Sequence, residues 1–274
     1  CLQVLYKKID EWANLKWQEN PFGSSAQSTE AHYLELASSA REKEYPDIEN
    51  FEKTSGYAIS RPWLDALALQ THVVMKTSTL CYAHGKVLYS ALSQYLKTLP
   101  VDSAAERLTI LETGTARGFS ALCMAKALSD NRRPGVILTF DVLPHRKKMY
   151  WNCIADHQRG PLTREELIAP WRQLADTYII FHQGHTQIEL PKVNVGRVHF
   201  AFLDGAHTYK DVMFEYSQFG VRQFPGDMLV FDDYSPNQFP GIVKAVDEIC
   251  HTHGYDKLAL NSEGGRGYVV ARKL

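Results

Sequence analysis

From residue 107 onwards, short apolar runs alternate with stretches of helical periodicity, and that alternation leaves the chain few architectures to fold into. The runs Leu108–Leu111, Val136–Phe140, Tyr178–Phe181, Val198–Leu203 and Met228–Phe231 have the length and composition of buried strands. Helix-like segments separate them: Ser120–Leu128, two stretches over His145–Ala155 and Arg164–Ala175, a short one after the third run, and Tyr209–Val221. A last one, Ile242–His251, follows the fifth run. Strands joined by helices pair in parallel, because a parallel pair needs a long crossover and the crossover helices cover both faces. Five such units in series predict a doubly wound α/β sheet. Lys257–Leu260 and Tyr268–Ala271, joined by Glu263-Gly264-Gly265-Arg266-Gly267, add a closing hairpin.

The first hundred residues read differently. They hold no strand pattern, and Arg61–Leu99 carries apolar residues at helical spacing, from Trp63 and Leu64 to Leu92 and Leu96. A helical region over 1–104 and an α/β domain over 105–274 are the expected division. Lys+Arg of 30 against Asp+Glu of 31 gives a net charge of −1, which speaks against an electrostatic nucleic-acid binder. No apolar run reaches the roughly 18–20 residues of a membrane span. Five scattered cysteines without a C-x-x-C pair suggest neither a disulfide framework nor a thiolate zinc site, and fit a reducing, cytoplasmic setting. Trp12, Trp17, Tyr33 and Trp63 could form a lid over a site or the face of a homo-oligomer built through the N-terminal helices.

In a doubly wound sheet, ligands sit beyond the carboxyl ends of the strands. The first strand runs into Glu112-Thr113-Gly114-Thr115-Ala116-Arg117-Gly118-Phe119-Ser120. Its glycines allow backbone to approach a ligand closely; the alternative is an ordinary strand-to-helix turn. The loop matches neither the dinucleotide glycine fingerprint nor a P-loop. Asp141 ends the second strand, placed to accept hydrogen bonds from a ribose diol or to cap a helix. After the third strand, Gln183-Gly184-His185-Thr186 could meet an adenine edge, or Thr186 could cap the next helix. The fourth and fifth strands end in Asp204-Gly205-Ala206-His207-Thr208-Tyr209 and Asp232-Asp233-Tyr234. If these strands are neighbours, three carboxylates converge, which a hard cation such as Mg²⁺, Mn²⁺ or Ca²⁺ would compensate.

Together these segments resemble class I S-adenosylmethionine-dependent methyltransferases. The D-G-x-H-x-Y and D-D elements are typical of the branch with macrolide, aminocoumarin and cephamycin tailoring enzymes, similar in its core to catechol O-methyltransferase. The resemblance covers about residues 105–274. It implies a Rossmann-like, mostly parallel sheet of seven strands with an antiparallel terminal hairpin, preceded by a helical region. It also implies that Glu112, Gly114, Ala116 and Ser120 line the methionine end of S-adenosylmethionine. Asp141 would hold the ribose, and His185 and Thr186 would flank the adenine. Asp204, Asp232 and Asp233 would bind the metal, with Asp204 also bordering the cofactor. Catechol-type enzymes carry a catalytic lysine three residues after the first metal-binding aspartate; His207 stands there in this chain, either as the base or as a group hydrogen-bonded to the metal carboxylates.

The expected reaction is methylation of a hydroxyl on a small molecule such as a natural product, sugar or phenol, with the metal lowering the hydroxyl pKa. The alternatives are a metal-free methyltransferase of another acceptor atom, a metal-dependent hydrolase, and a non-catalytic binding module. A nicotinamide-dependent reductase would need Tyr82-x-x-x-Lys86 after the glycine loop, whereas it precedes it.

Overall fold

A computed structural model describes residues 20–99 and 107–274. Trp12, Trp17 and the expected domain boundary at 104/105 lie outside the described residues. The strands are β1 (Leu108–Thr113), β2 (Gly135–Asp141), β3 (Ile179–Gln183), β4 (Phe200–Leu203), β5 (Met228–Phe231), β6 (Tyr255–Asn261) and β7 (Gly267–Lys273). They form one sheet in the order β3-β2-β1-β4-β5-β7-β6. The five strands β1–β5 are parallel, and β7 runs antiparallel between β5 and β6. The doubly wound, mostly parallel sheet with its terminal hairpin is therefore present. Strand order reverses between β1 and β4, which opens the crevice there.

The inner strands are buried on both faces, so they are largely apolar and alternate in which core they join, whereas the edge strands β3 and β6 expose one face. Ile110, Phe200, Phe202, Met228 and Val230 face one core. Leu111, Ala201, Leu203, Leu229 and Phe231 face the other. The first core is covered by the helices α4 (His84–Thr98), α5 (Phe119–Asp130) and α8 (Arg172–Tyr178); the second by α10 (Tyr209–Phe219) and α11 (Pro240–His253). Ahead of them, α1 (Glu30–Arg41), α2 (Pro46–Ser55) and α3 (Arg61–Thr71) extend the first core. Among the described residues no helix is long and apolar enough to cross a membrane.

Three helical expectations are corrected. His145–Ala155 is not a helix: α6 covers only Ile154–Arg159, since Asn152 at φ +53° breaks any helix before it. Residues 143–153 instead fold inward around Trp151, fully buried against Met149, Leu162 and Leu167, with its indole N–H donated to Leu162 O. Arg164–Ala175 is interrupted by Pro170, which lacks the N–H a continuous helix needs. The result is α7 (Arg164–Leu167), a 3₁₀ turn over Ala169–Trp171, and α8. The helical pattern over Arg61–Leu99 is split as well: residues 72–83, including Thr77-Ser78-Thr79, form an irregular connection, in keeping with the low helix propensity of hydroxyl residues. The short helix expected after β3 is α9 (Thr186–Glu189).

Candidate active site

The glycine loop sits where β1 ends at the crevice. Gly114 has φ +89°, and a Cβ there would lie 2.0 Å from the carbonyl oxygen of Asp204. Only glycine can make this turn, and the contact joins the β1 loop to the β4 loop. Glu112 is fully buried beneath it. Thr139 donates to its Oε2, whereas Oε1 has no hydrogen bond of good geometry although the Ser120 hydroxyl lies beside it. Burial pushes its pKa up to about 7 against the opposing effects of Ser120, Thr139 and Arg164. A buried carboxylate with one free oxygen is a ready partner for an ammonium group.

Asp141 accepts hydrogen bonds from Ala116 N (2.6 Å) and Leu143 N (2.7 Å), so it ties the glycine loop to the chain leaving β2. Burial raises its pKa, opposed first by Arg164. Arg164, which sequence reasoning overlooked, is fully buried. It donates from Nε to Ala116 O (2.9 Å) and from its other guanidinium nitrogen to Leu143 O (3.2 Å), clamping the same two loops. An arginine so deep inside is legible only from its partners. Gly184 (φ +143°) leads into α9, where His185 stands at the N-cap without a capping bond and Thr186 is the first helical residue. The side chain of His185 is half-buried, as is that of Thr186.

On the other side of the Gly114–Asp204 contact lies a cavity of about 390 Å³. The ends of β4 and β5 supply Asp204, His207, Asp232 and Asp233; the 72–83 connection supplies Lys76, Thr77, Ser78 and Thr79; the β6–β7 turn supplies Arg266. Ligand atoms of Asp204, His207 and Asp233 all lie within 4.8 Å of one another. Asp232 lines the same cavity but accepts Asp233 N on Oδ1 (2.6 Å), and it lies outside this closest trio.

Asp233 holds φ +54°, a left-handed conformation that is unusual for a residue with a side chain. Its Oδ2 is 2.9 Å from His207 Nδ1, and its Oδ1 accepts from Arg266 Nε (2.8 Å) and from a terminal guanidinium nitrogen. Burial pushes Asp233 up, but His207 and Arg266 outweigh it and hold the carboxyl below its ordinary range. His207 moves upward in response, chiefly through that hydrogen bond. Arg266 helps Asp204 and Asp232 too, and Asp233 N and His207 help Asp232, but too little to offset burial. Burial raises both, Asp204 well above the carboxylate range and Asp232 to about 7, and the neighbouring carboxylates add to it. Two desolvated carboxyls beside a third, all aimed into one cavity, are the donor set of a hard divalent cation, so the residues fit one.

Tyr82 and Lys86 are engaged elsewhere. The tyrosine hydroxyl bonds Asp65 (2.8 Å) and the lysine pairs with Glu52 (3.2 Å), so they do not reach this site. His84 is buried on the cavity wall against Phe119 and His72, with its pKa lowered by burial to about 3.

Residues 111–234 match the family model described as a methyltransferase domain. That stretch of the chain therefore carries a methyltransferase domain. No curated protein sequence matches this chain. Among solved structures, its fold is similar to that of the O-methyltransferase NovP, with a TM-score of 0.55, 17% identity, and 77% of this chain and 98% of that one covered. A putative O-methyltransferase from Klebsiella pneumoniae gives a TM-score of 0.50 at 18% identity, covering 78% of this chain and 91% of that one. At these identities the likeness concerns the fold alone.

Proposed function

We propose that the protein transfers the methyl group of S-adenosylmethionine to a hydroxyl of a small molecule, with a divalent cation at the carboxylate cluster. The observation that carries the reading is the Gly114–Asp204 contact, which sets the cofactor loop directly against a cavity holding three carboxylates. Glu112 would take the ammonium of the methionine end, with Ser120 beside it, while Gly114 and Ala116 lend backbone. Asp141 keeps lone pairs free for the ribose hydroxyls, and His185 and Thr186 border the adenine side. Asp204, Asp233 and Asp232 would hold Mg²⁺, Mn²⁺ or Ca²⁺, with His207 beside them. When bound, the cation supplies Lewis acidity that lowers the pKa of an acceptor hydroxyl.

The chain's own residues do the rest. With Nδ1–H donated to Asp233, His207 keeps a lone pair on Nε2 for the hydroxyl proton. The oxygen then displaces the thioether from the sulfonium methyl in line, which is mainly a matter of positioning. His72 and His84, kept neutral by burial, and Phe239 wall the cavity. The test pairs Mn²⁺ binding, read by electron paramagnetic resonance, with S-adenosylhomocysteine binding by calorimetry, in the wild type and Asp204→Asn. The wild type should bind both, and the variant only the nucleoside. Equal Mn²⁺ affinity in the two would remove the cation from the reading.

A metal-free transferase is the second reading, and one observation favours it: Arg266 already gives Asp233 a cation. Full activity in chelator would assign charge balance to Arg266 alone.

A further inference from the structure

The acceptor side of the cavity holds a second group that the reaction described above does not use. Lys76, on the irregular connection between α3 and α4, is exposed and lines the cavity that the carboxylates also line. It makes no ion pair or hydrogen bond with any described residue. Its electrostatic neighbours are Arg266, Cys81, Asp232 and Asp233. Partial desolvation and then the Arg266 charge both disfavour its ammonium form. Each carboxylate within reach is already committed. Asp233 is taken by Arg266 and His207, Glu263 by Lys43 at 2.5 Å, and Asp232 accepts from Asp233 N, while Asp204 belongs to the trio with His207 and Asp233. Thr77, Ser78 and Thr79, which follow it in sequence, line the same cavity, and each carries a hydroxyl donor.

The charges of the cavity point the same way. With a divalent cation bound, three aspartates face that ion, Arg266 and Lys76, which leaves one positive charge uncompensated. A neutral acceptor would leave Lys76 unpaired against Arg266 in a half-enclosed space. An acceptor bearing an oxyanion would neutralise it and accept from the hydroxyls.

We infer that the acceptor is an acidic hydroxyl compound whose carboxylate or phosphate group is held by Lys76 and the Thr77-Ser78-Thr79 wall, while its hydroxyl faces Asp204 and His207. This rests on the hydroxyl-transfer reading and adds to it the class of substrate. Arg266 is a secondary contact, since Asp233 already holds it.

The experiment uses matched pairs on phenolic, sugar and aliphatic hydroxyl scaffolds: 3,4-dihydroxybenzoate and its amide, gluconate and glucose, a hydroxyalkyl phosphate and its diol. Transfer is read as S-adenosylhomocysteine formed, and binding in the presence of S-adenosylhomocysteine by ligand-observed NMR. On at least one scaffold the acidic member should lead in kcat/KM, by about tenfold, as suits a hydrogen-bonded charge pair. Lys76→Gln should bring that ratio towards one, and Lys76→Arg should restore most of it. Lys76 is exposed on an irregular segment, so neither variant should disturb folding. Phosphate scaffolds leading over carboxylates, or the reverse, identifies which oxyanion the wall takes. Equal use of acidic and neutral members, or a preference that survives Lys76→Gln, overturns the inference and leaves hydroxyl transfer standing. Lys76-dependent binding of acids without any transfer keeps the subsite and overturns the reaction. Neither transfer nor binding overturns both.

Discussion

Asp233 is the residue on which the site balances. Its left-handed backbone turns the carboxylate back towards His207 and Arg266, so the second aspartate of the Asp232-Asp233 pair is ionised and engaged while the first is desolvated. Asp204, half-buried and desolvated so that its pKa is driven up, has the most to gain from a cation. Asp204→Asn should lower single-turnover transfer by about 10²-fold or more, while calorimetry shows S-adenosylhomocysteine affinity within a few-fold of wild type. Gly114→Ala should do the reverse kind of damage. Positive φ and the 2.0 Å approach to Asp204 O leave no room for a methyl group, so a loss of about 2 kcal/mol or more is expected in urea unfolding, together with weakened cofactor binding. Glu215 on α10 offers a pH prediction. It is buried, accepts from Thr113 Oγ1 at 2.8 Å, and burial pushes its pKa up to about 7. The folded state then holds a proton that the unfolded state has released, so stability is full below about pH 4.5 and falls as pH rises to 7. The full loss is on the order of 3 kcal/mol. Glu215→Gln should match the wild-type Tm at pH 4.5 and exceed it at pH 8. These residues differ in how much the sequence showed. Asp204, Asp232, Asp233 and Asp141 were legible because a strand end fixes where they lie. Glu215 and Arg164 were not, since nothing in a helix's own pattern says which polar group it buries.

At the scale of elements, the candidate site is assembled from pieces that the sequence read unevenly. Strands β4 and β5 were evident from their apolar runs, and β5 has the expected bounds, Met228–Phe231. The 72–83 connection was hidden inside an apolar periodicity that continued on either side of it. The helix expected at His145–Ala155 failed because Trp151, Met149 and Leu143 make a small core of their own, a tertiary preference that periodicity cannot express. Asp227 shows how the helical layer is fastened to the sheet. It is fully buried in the turn before β5. Tyr95 on α4 donates to it at 2.8 Å, Arg197 pairs with it through two nitrogens at 2.8 and 3.0 Å, and Phe224 N donates at 2.7 Å. Asp227→Ala strands these donors and should cost about 3 kcal/mol in chemical denaturation, with cofactor affinity little changed because the cluster lies at the opposite end of the strands from the crevice. Lys43 and Asp47, by contrast, reach the β6–β7 hairpin through Glu263 and Asn261, so the N-terminal helices brace the turn that carries Arg266.

For the whole molecule, topology was the most legible level. Five strand–helix units in series allow little besides a doubly wound sheet, and the observed order places the reversal between β1 and β4, where Gly114 meets Asp204. What the sequence withheld is the position of β7. A hairpin could have extended the sheet from either of its strands; the insertion of the later strand between β5 and β6 is what brings Arg266 over Asp233. That insertion has a consequence for how the protein comes into being. A ribosome delivers the chain in order, and β5 emerges well before the strand that pairs with it, so its outer edge stays open until residues 267–273 have cleared the exit tunnel. Until then Asp233 lacks its arginine and the carboxylates meet without their counterion. The nascent chain can form its glycine loop early, but the cavity beside it is completed only by a strand made some forty residues later than the Asp232-Asp233 pair.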